Sequence, residues 1–233
     1  MPCELKGMKR QLSVGSTLGK YVIKSLMRTG VSSEYYLASR NDGVVTKDVV
    51  IKVITNLFKV DRRSESRDVS LSLFDLSGGS ENICSIYDVG VTPGGLKYIV
   101  MEYVLGLPLD KHIEQNQLSV VEILKVFIVI CEAVDYGHQK NVLHCDISPS
   151  KIILNEDGNI KIIDFDILKT KNLNAQSDLT NVDYTSPEKL EGSTLGTYSD
   201  IYSLGALLYK ALTGKRPFSF LDDDAEKINK IIN

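Results

Sequence analysis

The most constraining stretch of this chain lies between residues 144 and 166. His144-Cys145-Asp146 is followed by two strand-like runs, Lys151 to Leu154 and Ile160 to Ile163, and Asp164-Phe165-Asp166 closes the segment. Asn155-Glu156-Asp157-Gly158 joins the runs, and these residue types favour a tight turn: Asn and Asp bond their own backbone, and Gly accepts a positive φ. Two strands joined in this way bring their outer ends together. Asp146 and Asp164, eighteen positions apart, therefore meet at one edge. Two carboxylates there can divide labour, one holding a metal and the other orienting a hydroxyl nucleophile. A lone Asp in a loop is more often a turn former, so the neighbours decide.

The pattern around this hairpin separates the chain into two halves. From Tyr21 to about Val104 the residues read as strands. Val49 to Ile54 and Tyr98 to Met101 are rich in β-branched residues, and Gly94-Gly95 marks a hairpin turn. One segment here, about Ser64 to Leu76, is expected to be a helix. From Ser119 the period becomes helical: Val120, Ile123, Leu124, Phe127, Ile128, Cys131 and Val134 form one stripe, with Ser119 as N-cap. A second apolar helix is expected over Asp200 to Thr213, closed by Gly214 and Pro217. The expectation is an α+β chain with a lead-in over 1–19, a strand-rich lobe over 20–104 and a helical lobe over 105–233. The joint falls in Glu102 to Gly106.

Composition enters by exclusion. A net charge of −3 gives no basic surplus for nucleic acid. The longest apolar run, Val126 to Cys131, is far short of the roughly 20 residues a spanning helix needs, so no membrane role is expected. Four cysteines without Cys-x-x-Cys spacing give no zinc or redox signal and suit a reducing, cytoplasmic compartment, and the N-terminus lacks the apolar core of a signal peptide.

The neighbours of the two aspartates carry a resemblance. His144-Cys145-Asp146-Ile147-Ser148-Pro149-Ser150-Lys151 is similar to the catalytic loop H-R-D-L-K-P-x-N of protein kinases. Asp164-Phe165-Asp166 resembles D-F-G, Val50-Ile51-Lys52 resembles V-A-I-K, and Ser186-Pro187-Glu188 resembles the S-P-E form of A-P-E. Ser199-Asp200-Ile201-Tyr202-Ser203-Leu204-Gly205 resembles the S-D-x-Y-S-L-G helix. These landmarks stand in the family's order from Tyr21 to Phe218 and resemble bacterial serine/threonine kinases most. The resemblance implies a two-lobed kinase fold using ATP, Mg²⁺ and a protein substrate. It makes Lys52 the partner of the α- and β-phosphates, Asp164 the Mg²⁺ ligand and Asp146 the residue that orients the substrate hydroxyl. It lines the nucleotide site with Met27, Gly30, Ser33, Tyr35, Val50, Met101, Glu102, Val104 and Ile153. His144 and His138 become structural residues.

The sequence departs from the family's pattern in several places. Of the glycine-rich loop only Gly30 survives, which gives phosphates a looser cradle. Val50 narrows the adenine pocket. Lys151 replaces the asparagine that holds a second metal, and an ammonium has no lone pair to give; its charge can instead serve the γ-phosphate. Ser148 replaces the catalytic-loop lysine. Cys145 replaces the arginine that reads activation-loop phosphate, which leaves phosphorylation at Ser177, Thr180 or Thr185 without an obvious reader. Asp166 replaces the D-F-G glycine. The carboxylate partner of Lys52 is Glu65 or Asp68.

After Phe218 the sequence has room for one helix, Asp223 to Ile232, where the family continues through several. Glu188 is then expected to be a partly buried carboxylate without its arginine, and a protein partner is expected to cover the C-lobe. The reading is an ATP-dependent serine/threonine protein kinase. The alternative is a pseudokinase that binds nucleotide or scaffolds with little or no transfer.

Overall fold

A computed structural model describes residues 12–30, 33–41, 46–55, 76, 78–165, 179–218 and 223–232. The chain divides into two compact units, Met1–Val60 with Ile86–Tyr103, and Asp61–Ser85 with Val104–Asn233. The chain last passes between the units from Tyr103 to Val104. Ser80 to Cys84 group with the helical unit because Ile83 bridges Ile162 and the Cys84 N–H donates to the Ile162 carbonyl at 2.8 Å.

The strand-like half forms an antiparallel sheet in the order β1-β2-β3-β4-β6-β5. Its strands are β1 (Thr17–Leu18), β2 (Tyr21–Thr29), β3 (Ser33–Asn41), β4 (Thr46–Ile54), β5 (Ile86–Val91) and β6 (Lys97–Glu102). Period-two alternation builds the core of this unit. Val49, Ile51 and Val53 of β4 pack with Tyr21, Ile23, Tyr36, Ala38 and Val100. Val50 and Lys52 alternate with them on β4. The Gly94-Gly95 turn closes β5 and β6 as expected, with Gly95 at φ +84°. Of the helix expected over Ser64 to Leu76, only Leu76 lies among the described residues, and it is buried.

The second unit places a short sheet, β7 (Leu107–Pro108), β8 (Ile152–Leu154) and β9 (Ile160–Ile162), among its helices. These are α1 (Leu109–Asn116), α2 (Val120–Gln139), α3 (Pro187–Leu190), α4 (Thr197–Thr213) and α5 (Asp224–Ile232). Two 3₁₀ turns, Pro149–Lys151 and Leu179–Tyr184, complete the elements. Ser119 caps α2 with a reciprocal capping box to Glu122. Ile123, Phe127 and Val134 of the predicted stripe are buried and are joined by Ile130, whereas Val120, Leu124, Ile128 and Cys131 are exposed. Gly137 of α2 has a packing reason: a Cβ there would lie 2.8 Å from a Phe165 ring carbon. The predicted second helix begins three residues earlier than expected, at Thr197, because Ser199 accepts from the Gly196 N–H at 3.2 Å. It ends as expected on Gly214 at φ +71°.

Candidate active site

The hairpin β8–β9 sets the site. Ile152 pairs with Ile162 and Leu154 with Ile160, so Asp146 and Asp164 emerge at the same end, as the strand argument requires. The loop before β8 is held by Asp200 of α4, which is 1% exposed. Its carboxylate accepts from the His144 N–H at 2.8 Å and the Cys145 N–H at 2.7 Å, and bonds His138 Nε2 at 2.8 Å. Burial pushes this carboxyl up. The bond from His138, the electrostatic attraction of the His144 ring and the bonds from the two amides outweigh that and hold it below its ordinary value. The clamp holds Cys145 at φ +61°, a conformation few side chains adopt.

His144 is fully enclosed and serves as a structural link. Its Nε2 lies 3.1 Å from the Ile163 carbonyl, and its Nδ1 lies 3.2 Å from the Asp146 N–H. A carbonyl needs a donor and an amide needs an acceptor, so these contacts fix a neutral ring protonated on Nε2. Burial lowers its pKa, which agrees. Its ring packs on Phe165 at 4.8 Å between centroids, tilted by 51°. His144 therefore couples Asp146 to the segment that leads from β9 to Asp164.

Between the two aspartates stands Lys151. Its Nζ hydrogen-bonds Asp164 Oδ2 and lies 3.8 Å from Asp146 Oδ2. The side chains of Lys151 and Asp164 are 5% and 4% exposed, while that of Asp146 is 23% exposed. The three residues that the hairpin argument brings together thus form one cluster, with Asp146 the most open to solvent. Asp164 sits at φ +66°. Among the described residues no group of three or more His, Cys, Asp or Glu could hold a metal by itself. A single carboxylate at Asp164 suits Mg²⁺, which takes one or two protein carboxylates and fills its shell with phosphates and water. The Lys151 ammonium itself has no lone pair to give a second ion.

The nucleotide residues predicted from the sequence divide between the units. In the sheet, Tyr35 is in register with Arg28 on one side and Lys52 on the other. The Arg28 guanidinium carbon lies 4.9 Å and Lys52 Nζ 5.6 Å from the Tyr35 ring centre. Lys52 is buried, so the aromatic face serves a charge largely withdrawn from water. Val50 is paired with Met101, which is buried. Ser33 is also buried, whereas Met27 is exposed. Gly30 donates to the Ser33 carbonyl at 2.8 Å and Glu102 ends β6. Val104 and Ile153 belong to the second unit, both half-buried. Glu65, Asp68, Asp166 and Ser177 lie outside the described residues.

Two residues of this region escape a reading of motifs. Lys189 of α3 donates to the Cys145 carbonyl at 2.7 Å and stands 3.6 Å from Asp146 Oδ1. Its signal in the sequence is only a cation beside Ser186-Pro187-Glu188 in a chain that has lost the lysine at 148. Asp183 is buried and meets Arg216 at 3.2 Å and Lys227 of α5 at 3.6 Å. Glu188 is half-buried, and its Oε1 has no hydrogen-bond partner among the described residues.

The aspartate pair at the end of the hairpin is clamped from a following helix, and the sheet unit by itself carries a buried lysine on β4. The family model for the protein kinase domain matches residues 21–233, and the chain belongs to the protein kinase family. It is 36% identical over 209 residues to the serine/threonine-protein kinase PrkC of Bacillus subtilis, covering 86% of this chain and 31% of that protein. It is 31% identical over 217 residues to the serine/threonine-protein kinase PknB of Mycolicibacterium smegmatis, covering 85% and 33%. The chain thus spans about a third of the length of these relatives. Among solved structures, the PknI kinase domain of Mycobacterium tuberculosis superposes with a TM-score of 0.66 at 24% identity, covering 92% of this chain and 79% of that one. The fold is the α+β protein kinase fold.

Proposed function

We propose that this chain is an ATP-dependent protein kinase that transfers the γ-phosphate to serine or threonine hydroxyls. The observation that carries the reading is the cluster in which Lys151 bridges buried Asp164 and partly exposed Asp146. Asp146 receives the substrate hydroxyl, orients its oxygen and takes up its proton. The hydroxyl oxygen bonds to the γ-phosphorus as the bond to the β–γ bridging oxygen breaks, and ADP leaves. Lys151 supplies positive charge beside the moving phosphoryl group. Lys52 holds the α- and β-phosphates, with Met27, Gly30, Ser33, Tyr35, Val50, Met101, Glu102, Val104 and Ile153 lining the nucleotide site. Asp164 would hold one Mg²⁺, which supplies charge neutralisation on the phosphates when bound.

Among the described residues no helix is long and apolar enough to cross a membrane. A cytoplasmic setting fits a chain that consumes ATP and carries Cys84, Cys131 and Cys145 as thiols. Exposed apolar side chains on α4, Ile201 at 61% and Tyr209 at 50%, support a protein surface covering the helical unit.

The test is transfer of labelled γ-phosphate to a generic protein substrate, wild type against Asp146→Ala. Transfer that vanishes in the variant supports the reading. Equal transfer in both, or none in the wild type, removes it.

A further inference from the structure

We propose that Lys189 is a positioning residue for Asp146, bringing from α3 a cation to a catalytic loop that has serine at position 148. The inference deepens the kinase reading and rests on it.

At position 148 the chain has a serine, wholly buried, whose hydroxyl pairs with Ser150 at 3.2 Å. It carries no charge to Asp146. The charge arrives from elsewhere. Pro187 and the Lys189 N–H bond to the Ser186 carbonyl, at 3.1 Å, start α3 so that the Lys189 side chain reaches the catalytic loop. There its ammonium has two partners. It donates to the carbonyl of Cys145 at 2.7 Å and lies 3.6 Å from Asp146 Oδ1. Lys151 approaches the other oxygen, Oδ2, at 3.8 Å. Each oxygen of the Asp146 carboxylate therefore faces its own ammonium. Two cations at two oxygens fix the rotation of the carboxylate about its Cβ–Cγ bond, which a single cation does not.

The second contact matters as much. Cys145 stands at φ +61°, and its N–H is already committed to Asp200. Its carbonyl needs a donor, and Lys189 provides one. The same ammonium thus holds the strained peptide that precedes Asp146 and the carboxylate that follows it. At 13% exposed, the Lys189 side chain is screened from water, so the contact is stronger than a surface pair.

A residue acting in this way changes turnover and leaves nucleotide affinity alone, because its contacts are to Asp146 and to the Cys145 carbonyl. The experiment uses the full chain with Mg²⁺–ATP and a protein substrate. Lys189→Met should lower kcat by about 10- to 100-fold, the scale of a misplaced reacting group, with the KM for ATP changed by less than about twofold. Lys189→Arg keeps the charge and should retain more of kcat than Lys189→Met. A second readout needs no turnover. The losses in melting temperature from Lys189→Met and Asp146→Asn should be less than additive when the two are combined, since removing either partner removes the same contact. If Lys189→Met does not melt cooperatively, Lys189→Gln replaces it in both measurements. Wild-type kcat in the methionine variant, an arginine variant as impaired as the methionine one, or additive melting shifts would each overturn the proposal. A wild type that transfers nothing refutes the kinase reading instead, and the melting cycle then decides on its own whether Lys189 and Asp146 are coupled.

Discussion

Removing Lys151 should destabilise the protein and change its response to Mg²⁺. The ammonium lies 3.8 Å from Asp146 Oδ2, where attraction at an effective dielectric of about 20 is on the order of 4 kcal/mol. It is also hydrogen-bonded to Asp164, and both those side chains are nearly sealed from water. Lys151→Ala leaves two carboxylates near each other without the cation between them. Breaking such a buried pair costs about 3–5 kcal/mol, or a fall in melting temperature on the order of 10 °C for a domain of this size. Lys151→Asn should lose less, because its amide oxygen can ligate a metal and its NH₂ group can still donate. Mg²⁺ without nucleotide should then raise the melting temperature of Lys151→Asn more than that of the wild type. In the transfer assay Lys151→Ala should lose activity, and Lys151→Asn should recover part of it as Mg²⁺ rises. Two results would refute the reasoning. An alanine variant that melts with the wild type means that the pair contributes nothing. A Lys151→Asn variant faster than wild type means that the lysine blocks the site.

Lys52→Met should weaken Mg²⁺–ATP binding by about 1.5–3 kcal/mol, the range for a charged donor on a phosphate, and thermal-shift titrations that coincide with wild type would contradict this. Phosphatase treatment should leave the transfer rate unchanged, because Cys145 offers no cation to an activation-loop phosphate and Thr185 is buried with its hydroxyl on the Asn181 carbonyl at 3.0 Å; a large loss of rate would show that another residue reads phosphate. His144 has its folded pKa lowered by burial, so below the ordinary histidine value of about 6.5 the unfolded chain binds the extra proton and stability falls with pH. The loss should develop between that value and the lower folded one, at no more than about 1.4 kcal/mol per pH unit, and a His144→Phe variant should show a flatter melting profile from pH 7.5 to 5.5; equal slopes would count against it. Glu188→Gln should melt no lower than wild type, because it removes charge from a side chain whose Oε1 is buried without a partner among the described residues; a clear drop would mean that the carboxylate is paired.

What the sequence revealed and what it hid follow the range of the forces involved. The hairpin joining the two aspartates was legible because Asn155 to Gly158 encode a turn locally and the β-branched runs on either side need no distant partner. Lys151 was legible as a neighbour of both aspartates for the same reason: it lies between them in the chain. The strand face of β4 was legible from alternation alone, and Ser119 with Glu122 encodes its own cap. The clamp on the catalytic loop was not, since Asp200 reaches His144 across 56 positions and nothing near Asp200 signals that its two oxygens accept backbone amides. Lys189 was hidden in the same way, 44 positions from the carbonyl it holds. The sequence also placed Tyr35 only as a lining residue; its contact with both Arg28 and Lys52 depends on the register of three strands, including a bulge in β2 between Leu26 and Arg28.

The departures from the kinase pattern acquire a common sense when charge is followed by position in space. Along the chain, cations are lost at Cys145 and Ser148, and the asparagine position becomes Lys151. Read as motifs, these are three separate defects. Around the Asp146 carboxylate, the same changes leave an ammonium at each oxygen, one from Lys151 and one from Lys189. The arginine of the family's pattern waits for a phosphate before its surroundings are balanced, whereas these two lysines are balanced by carboxylates and a carbonyl already in the fold. On the proposed reading, these two lysines keep the loop's working geometry without an added phosphate, and Lys151 brings the charge that a second metal would bring. The cost is rigidity of composition: Lys151 and Asp164 are tied most tightly, since either replaced alone leaves a charge in a place where water cannot easily reach it.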